Sequence, residues 1–293
     1  MRLQDKLDAL REAFENGRCP RVPTRLRLAL PADLIVVDRR SGLDAASARP
    51  PARRPPGLTV HTTTQQKEYS TMAIKIYGDP GSGSRRRVTS AAAAMGVDIE
   101  IVDIDLFKGE SHTPEFLELN PHGLSPVMVD GDFVLYESAA INLYLAEKAG
   151  SDLAGRTPRE RFEILQWMFW SGEQWRVFAT LTFDEVLAKR FMGQPADQTI
   201  VKLADDKIRA AAAVLDAHLA KRSHMVGDRL TLADFDVAGP FSQNERTKIP
   251  LNEFPNLVAW QQRLLATVPA WAATKREVDA RIDGALDAAG ITL

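Results

Sequence analysis

Apolar and polar positions follow different rules in successive stretches of the chain. Residues 3–16 set Leu3, Leu7, Leu10 and Phe14 at helical spacing, with Gly17 beyond them as a stop, so one amphipathic helix is expected there. From 18 to 71 the periodicity is lost. This stretch holds the run Ala-Ser-Ala-Arg-Pro-Pro-Ala-Arg-Arg-Pro-Pro-Gly at 46–57 and a polar run at 62–71. Neither can bury a core, and 18–71 is expected to be mostly unstructured. Alternation returns at Ile74 to Tyr77 and predicts a strand, followed by a small-residue helix from about Arg85 to Met95, a Gly96 stop and a second strand at 99–104. Two strands joined by a helical crossover imply a parallel pair in an α/β layer. Thr113-Pro114-Glu115 caps and opens a further helix that Asn120-Pro121 ends. Short apolar runs at 126–129 and 133–135 flank Asp130-Gly131-Asp132 and predict a hairpin. Glu137-Ser138 then opens a helix to about Lys148, with Ile141, Tyr144 and Leu145 on one face and Gly150 past its end.

After a polar link at 150–156 every pattern is helical. Thr157-Pro158 starts a long helix through Phe162, Leu165, Phe169 and Trp170, and others are expected at about 196–221, 231–244 and 254–267. Pro240 should kink the helix it falls in. All five tryptophans, Trp167, Trp170, Trp175, Trp260 and Trp271, lie in this half, and helical spacing makes most of them core. The predicted fold class is an α/β, thioredoxin-like N-terminal domain followed by an all-α domain and preceded by a largely unstructured extension. The expected divisions are 1–72, 73–150 and 157–293.

Composition changes this picture in two places. Net charge is −2 overall, but residues 1–71 carry 13 Lys or Arg against 8 Asp or Glu, so a basic arm precedes an acidic body. The arm has no aromatic-basic pattern, and the acids Asp5, Asp8, Glu12 and Glu15 disfavour a mitochondrial-type presequence. Met72, where the patterned body begins, is a candidate start of translation. Without an aromatic-basic pattern a nucleic-acid partner is not expected, and a membrane is not expected either, since no apolar run approaches the roughly 20 residues that span a bilayer. The single cysteine, Cys19, excludes an intrachain disulfide, supplies no metal-ligand cluster and favours a reducing, cytoplasmic home.

The chemistry concentrates in Tyr77 to Val88, Tyr-Gly-Asp-Pro-Gly-Ser-Gly-Ser-Arg-Arg-Arg-Val. A Gly- and Pro-rich turn brings two hydroxyls, Ser82 and Ser84, to a helix start, where free N–H groups and the helix dipole favour an anion or a thiolate. Arg85, Arg86 and Arg87 add positive potential there, or form a solvated basic turn.

With Leu-Phe-Lys-Gly-Glu (106–110), Asn-Pro-His-Gly-Leu-Ser-Pro (120–126), Asp-Gly-Asp (130–132) and Leu-Tyr-Glu-Ser-Ala-Ala-Ile (135–141), that stretch resembles the cytosolic glutathione transferases over about residues 73–280. The likeness is nearest to their serine-type phi class and its bacterial relatives. It implies glutathione as co-substrate, no metal, small hydrophobic electrophiles as second substrate, a cytoplasmic homodimer, and detoxification by conjugation. Glutathione-dependent peroxidase or dehalogenase work at the same site stays open, as does a non-catalytic binding or regulatory module. By resemblance Ser82 is the catalytic hydroxyl, with Ser84 as alternative. Pro126 stands where the family keeps a cis proline that turns the backbone of Ser125 toward the cysteinyl part of glutathione, while Glu137 and Ser138 hold the γ-glutamyl end. Three positions depart from the pattern. Ser111-His112 follows Lys-Gly-Glu where a His-Lys pair is usual, Leu124 stands where Gln is common, and Ser125 replaces a branched apolar residue. His112 remains the candidate for the glycyl carboxylate. The electrophile is expected against the helix bearing Trp167, Trp170, Gln174 and Phe178. Thr231 and Asp234 resemble the family's folding motif, a capping box with a structural role.

Overall fold

A computed structural model describes residues 73–292; the expected helix at 3–16 and the rest of the basic arm lie outside the described residues. Strand β1 (Ile74–Gly78) leads through the Gly-rich turn into α1 (Gly83–Met95), and β2 (Ile99–Asp103) returns parallel to β1, with Ile76 opposite Ile101. Helix α1 starts two residues before the expected Arg85. Ser82 caps it, its Oγ accepting from the Arg85 N–H at 3.3 Å, and Gly96 ends it at φ 68°, a left-handed conformation that favours glycine. After α2 (Pro114–Leu119), capped by Thr113 as its sequence implies, β3 (Val127–Asp130) and β4 (Phe133–Tyr136) form the antiparallel hairpin, and α3 (Ser138–Ala149) follows. The sheet order is β2-β1-β3-β4. One face carries Ile74, Ile76 and Met128 against Val88 and Ala92 of α1 and Ile141 and Leu145 of α3. The opposite side gathers Ile104, Phe116 and Val127.

The second half is helical. A single rod comprises α4 (Pro158–Trp170), α5 (Val177–Phe183) and α6 (Lys189–Phe191), joined by wider i→i+5 turns at Ser171–Arg176 and Asp184–Ala188. Helices α7 (Gln198–Leu219), α8 (Leu232–Val237), α9 (Asn244–Thr247), α10 (Pro255–Thr267) and α11 (Pro269–Ala289) complete it. The capping box is present: Thr231 caps α8, and the buried Asp234 accepts from the Thr231 N–H at 2.9 Å.

One expectation needs correcting. The pattern at 231–244 is not one kinked helix: α8 stops at Val237, and Pro240, which has no N–H to continue the ladder, opens a 3₁₀ turn at Gly239–Ser242. Helix α11, 21 residues long, has a separate existence that the sequence pattern did not reveal. Trp175, Trp260 and Trp271 are buried as expected, but Trp167 and Trp170 are only half-buried and pack edge to face on each other at 5.3 Å. Phe162 and Phe169 of the same helix are exposed.

Candidate active site

The three consecutive arginines at the start of α1 are not a solvated basic turn. Steps of about 100° along a helix spread three neighbours over most of its circumference, so they cannot share one solvent face. Arg85, Arg86 and Arg87 are 7%, 1% and 2% exposed, and each has a separate structural partner. Arg85 donates to Asp103 at 2.6 Å, tying α1 to β2. Arg86 stacks on the Trp271 ring, 3.5 Å from its centroid, and donates to the Trp271 carbonyl at 2.8 Å. Burial pulls its pKa down to about 9, opposed by Asp279 and Glu245. Arg87 donates to Asp236 at 2.6 Å, to Ser84 Oγ at 3.2 Å and to Ser138 Oγ. Burial pulls Arg87 down to about 10 in spite of Asp236, whose other oxygen accepts from Arg176 at 2.9 Å. Arg86 and Arg87 therefore clamp the α/β layer onto the helices, while Arg85 holds α1 to the sheet. Arg87 is the member that also lines the cleft.

That cleft, of about 500 Å³, lies between the β1–α1 turn, the β3 start, the α3 start and the α4–α6 rod. Its polar floor holds Ser82, Ser84, Ser125, Glu137 and Ser138, and its apolar wall includes Leu106, Phe107 and Phe183. The Ser125–Pro126 peptide is cis, and the Ser125 hydroxyl is buried without a hydrogen-bond partner among the described residues. Glu137 is exposed and adopts φ 71°, a conformation that costs a non-glycine residue of order 1–3 kcal/mol and that cleft-facing residues retain when the surroundings hold them. Ser138 beside it is buried at the first turn of α3.

Residues remote in sequence hold the Ser82 turn. The buried Asp79 carboxylate accepts from the Gly81 N–H at 2.7 Å, from the Leu106 N–H at 3.1 Å and from Arg281 of α11 at 3.0 Å. Arg281 also donates to Asp105 at 2.7 Å and lies 5.0 Å from the Phe107 ring centroid. Gln243 donates to the Gly81 carbonyl at 3.0 Å. A Cβ at Gly81 would lie 2.7 Å from Ile282 Cδ1, so a larger residue there would have to displace that side chain.

The remaining predicted residues fall elsewhere. His112 is exposed, does not line the cleft, and places Nδ1 3.1 Å from Ser111 Oγ; its ring packs behind Gly123, which does line it. Trp167, Trp170, Gln174 and Phe178 do not line the cleft either. The three aromatics pack against the helical core, and the rod presents Arg176, Ala179, Thr180, Phe183 and Asp184 to the cleft instead. The wide turn at 171–176 interrupts the regular 3.6-residue count between Trp170 and the cleft-facing stretch. Sequence reasoning also missed Asp79, Asp236, Arg176, Gln243 and Arg281. A signal for part of this was present, since a run of three helical arginines demands acids elsewhere in the chain.

An α/β layer of this topology joined to a helical half, with a serine-rich cleft between them, defines the class. The description of the glutathione S-transferase N-terminal domain fits residues 72–147, and that of the C-terminal domain fits 180–267. Glutathione S-transferase F10 of Arabidopsis thaliana is 38% identical over 167 residues, 56% of this chain and 77% of its own. Glutathione S-transferase F9 of the same plant is 32% identical over 214 residues, 69% of this chain and 96% of its own. The structure of maize glutathione S-transferase I in complex with an atrazine glutathione conjugate matches with a TM-score of 0.64 at 27% identity, over 71% of this chain and 99% of that one. The chain belongs to the glutathione S-transferase family.

Proposed function

We propose that the protein is a serine-type, phi-like glutathione transferase that conjugates the glutathione thiolate to small electrophiles, with residues 73–150 binding glutathione and 157–293 supplying the electrophile wall. The observation that carries this reading is the convergence on one cleft of a capping hydroxyl at a helix start, a cis-proline backbone turn and a second helix start bearing Glu137 and Ser138.

A free thiol of pKa about 8.5 is only about 3% ionised at pH 7. Lowering it by two units takes about 2.7 kcal/mol. A hydroxyl donating to the thiolate contributes about 1.5–3 kcal/mol and the helix start about 0.3–1, which together suffice. Ser82 suits the donor role because its oxygen already accepts from the Arg85 N–H, leaving its proton to point at sulfur. Ser84 accepts from Arg87 instead and belongs to the Ser138 end of the floor. There, Arg87 donates to Ser138 Oγ, which frees the Ser138 proton for the γ-glutamyl carboxylate, while Glu137 faces the ammonium. The Ser125 backbone, presented by cis Pro126, pairs with the cysteinyl part like an added strand. In this reading the apolar wall of Leu106, Phe107 and Phe183 receives the electrophile.

The same reading makes the protein a cytoplasmic homodimer. Phe162 and Phe169, two turns apart on one face of α4 and 69% and 68% exposed, suit burial against a second copy. Retention on immobilised glutathione, elution by free glutathione and turnover of an activated aryl halide are the expected results. Binding without turnover across a panel of electrophiles would favour the non-catalytic module, and turnover of hydroperoxides alone the peroxidase.

A further inference from the structure

Five charged side chains line the cleft: Asp79, Arg87, Glu137, Arg176 and Asp184. Four have a partner or an assigned role. Asp79 is held by Arg281, Arg87 and Arg176 share Asp236, and Glu137 faces the glutathione ammonium in the reading above. Asp184 alone is left over. It stands one residue after Phe183, where the second wide turn of the rod begins, and it is exposed to the cleft. Among the described residues, no hydrogen bond and no cation stabilises its carboxylate. Partial desolvation by the cleft walls and the charge of Glu185 both push its pKa up from the ordinary range. Glu185 is itself occupied, accepting from Lys189 at 2.5 Å and from the Asp197 N–H at 2.7 Å. Thr180, Phe183 and Asp184 recur at i, i+3 and i+4, so one face of the rod offers a hydroxyl, a ring and a bare carboxylate to the same ligand.

We propose that Asp184 makes the second-substrate wall selective for electrophiles carrying a positively charged group, such as an alkylammonium, on an apolar body. This rests on the glutathione-transferase reading. The apolar part packs on Leu106, Phe107 and Phe183, and the cation meets the carboxylate that the described residues leave uncompensated. A neutral electrophile still fits the wall but gains nothing from Asp184, and an anionic one is repelled.

Two glutathione conjugates of matched shape test this by calorimetry, without relying on turnover: S-(para-aminomethylbenzyl)glutathione and S-(para-ethylbenzyl)glutathione. The natural protein should bind the cationic conjugate about 3- to 10-fold more tightly, as expected for an ion pair in a partly screened cleft. Asp184→Asn should erase that preference and leave affinity for the neutral conjugate unchanged. Equal affinity for both conjugates in the natural protein, or a preference that survives Asp184→Asn, overturns the assignment. Failure of the neutral conjugate to bind at all overturns the glutathione reading beneath it, so the two failures are distinguishable.

Discussion

Asp236→Asn tests whether the polar cluster under the cleft supports the fold and the site together. Asp236 is fully buried and neutralises Arg87, itself 2% exposed, at 2.6 Å, and Arg176 at 2.9 Å. Removing one partner of a buried pair leaves the other charge uncompensated and costs about 3–5 kcal/mol. Two features put the expected value at the lower end. Arg87 keeps Ser84 and Ser138 as acceptors, and Arg176 is exposed enough to recover water. A loss of about 3 kcal/mol corresponds to a fall in Tm of roughly 6–12 °C for a body of this size. Urea denaturation of the natural protein, Asp236→Asn, Arg87→Met and the combined variant completes a double-mutant cycle. The combined variant should cost less than the two single losses added, because replacing both charges with apolar groups removes the uncompensated ion. Asp236→Asn should also weaken glutathione binding, since Arg87, no longer anchored by Asp236, presents Ser138 Oγ less rigidly. A loss below about 1 kcal/mol for Asp236→Asn, or strict additivity, would refute the argument.

Three further outcomes are expected. Ser82→Ala should raise the pKa of bound glutathione by about one to two units and shift the pH profile of kcat/KM upward equally, read by thiolate absorbance and initial rates; Ser84→Ala should leave both in place, and a shift for Ser84→Ala alone would move the assignment to Ser84. Glu137→Gly relieves the positive φ and should raise the stability of the ligand-free protein by about 1 kcal/mol while weakening glutathione at least about 10-fold, as calorimetry and thermal melts can separate. Asp130 is held below the usual carboxylate range, first by its hydrogen bond from Lys148 and then by that from Tyr144. Its contribution is therefore complete above the unfolded value of about 3.9 and lost as pH falls through the lower folded one, so Asp130→Asn should flatten the dependence of stability on pH below about 4, and an unchanged acid limb would count against the pairing.

The elements that depend on neighbouring residues were legible in the chain. Thr113-Pro114 and Thr157-Pro158 open helices because a capping oxygen and a proline at the first turn act over three or four residues. Gly96 and Gly150 close helices by taking the left-handed conformation, and Asp130-Gly131-Asp132 folds its hairpin over the same range. The strand–helix–strand order, the capping box at Thr231 and Asp234, and the serines of the cleft floor followed from such local rules together with the motif resemblance.

Tertiary structure alone decided what the charges are for. Asp79 and Arg281 stand 202 residues apart, and Arg87 and Asp236 stand 149 apart. No periodicity links such partners, so a run of arginines read locally looks like a basic surface although it is a buried clamp. The cleft-facing side of the rod was hidden for a related reason. Two i→i+5 turns interrupt the regular helical count; they lie against α7, α8 and α9, and no residue signature at 171–176 or 184–188 announces them. Local chemistry determined where helices, turns and hydroxyls lie along the chain; long-range packing determined which of their faces meet, because burial is a property of the assembled fold and not of any one segment.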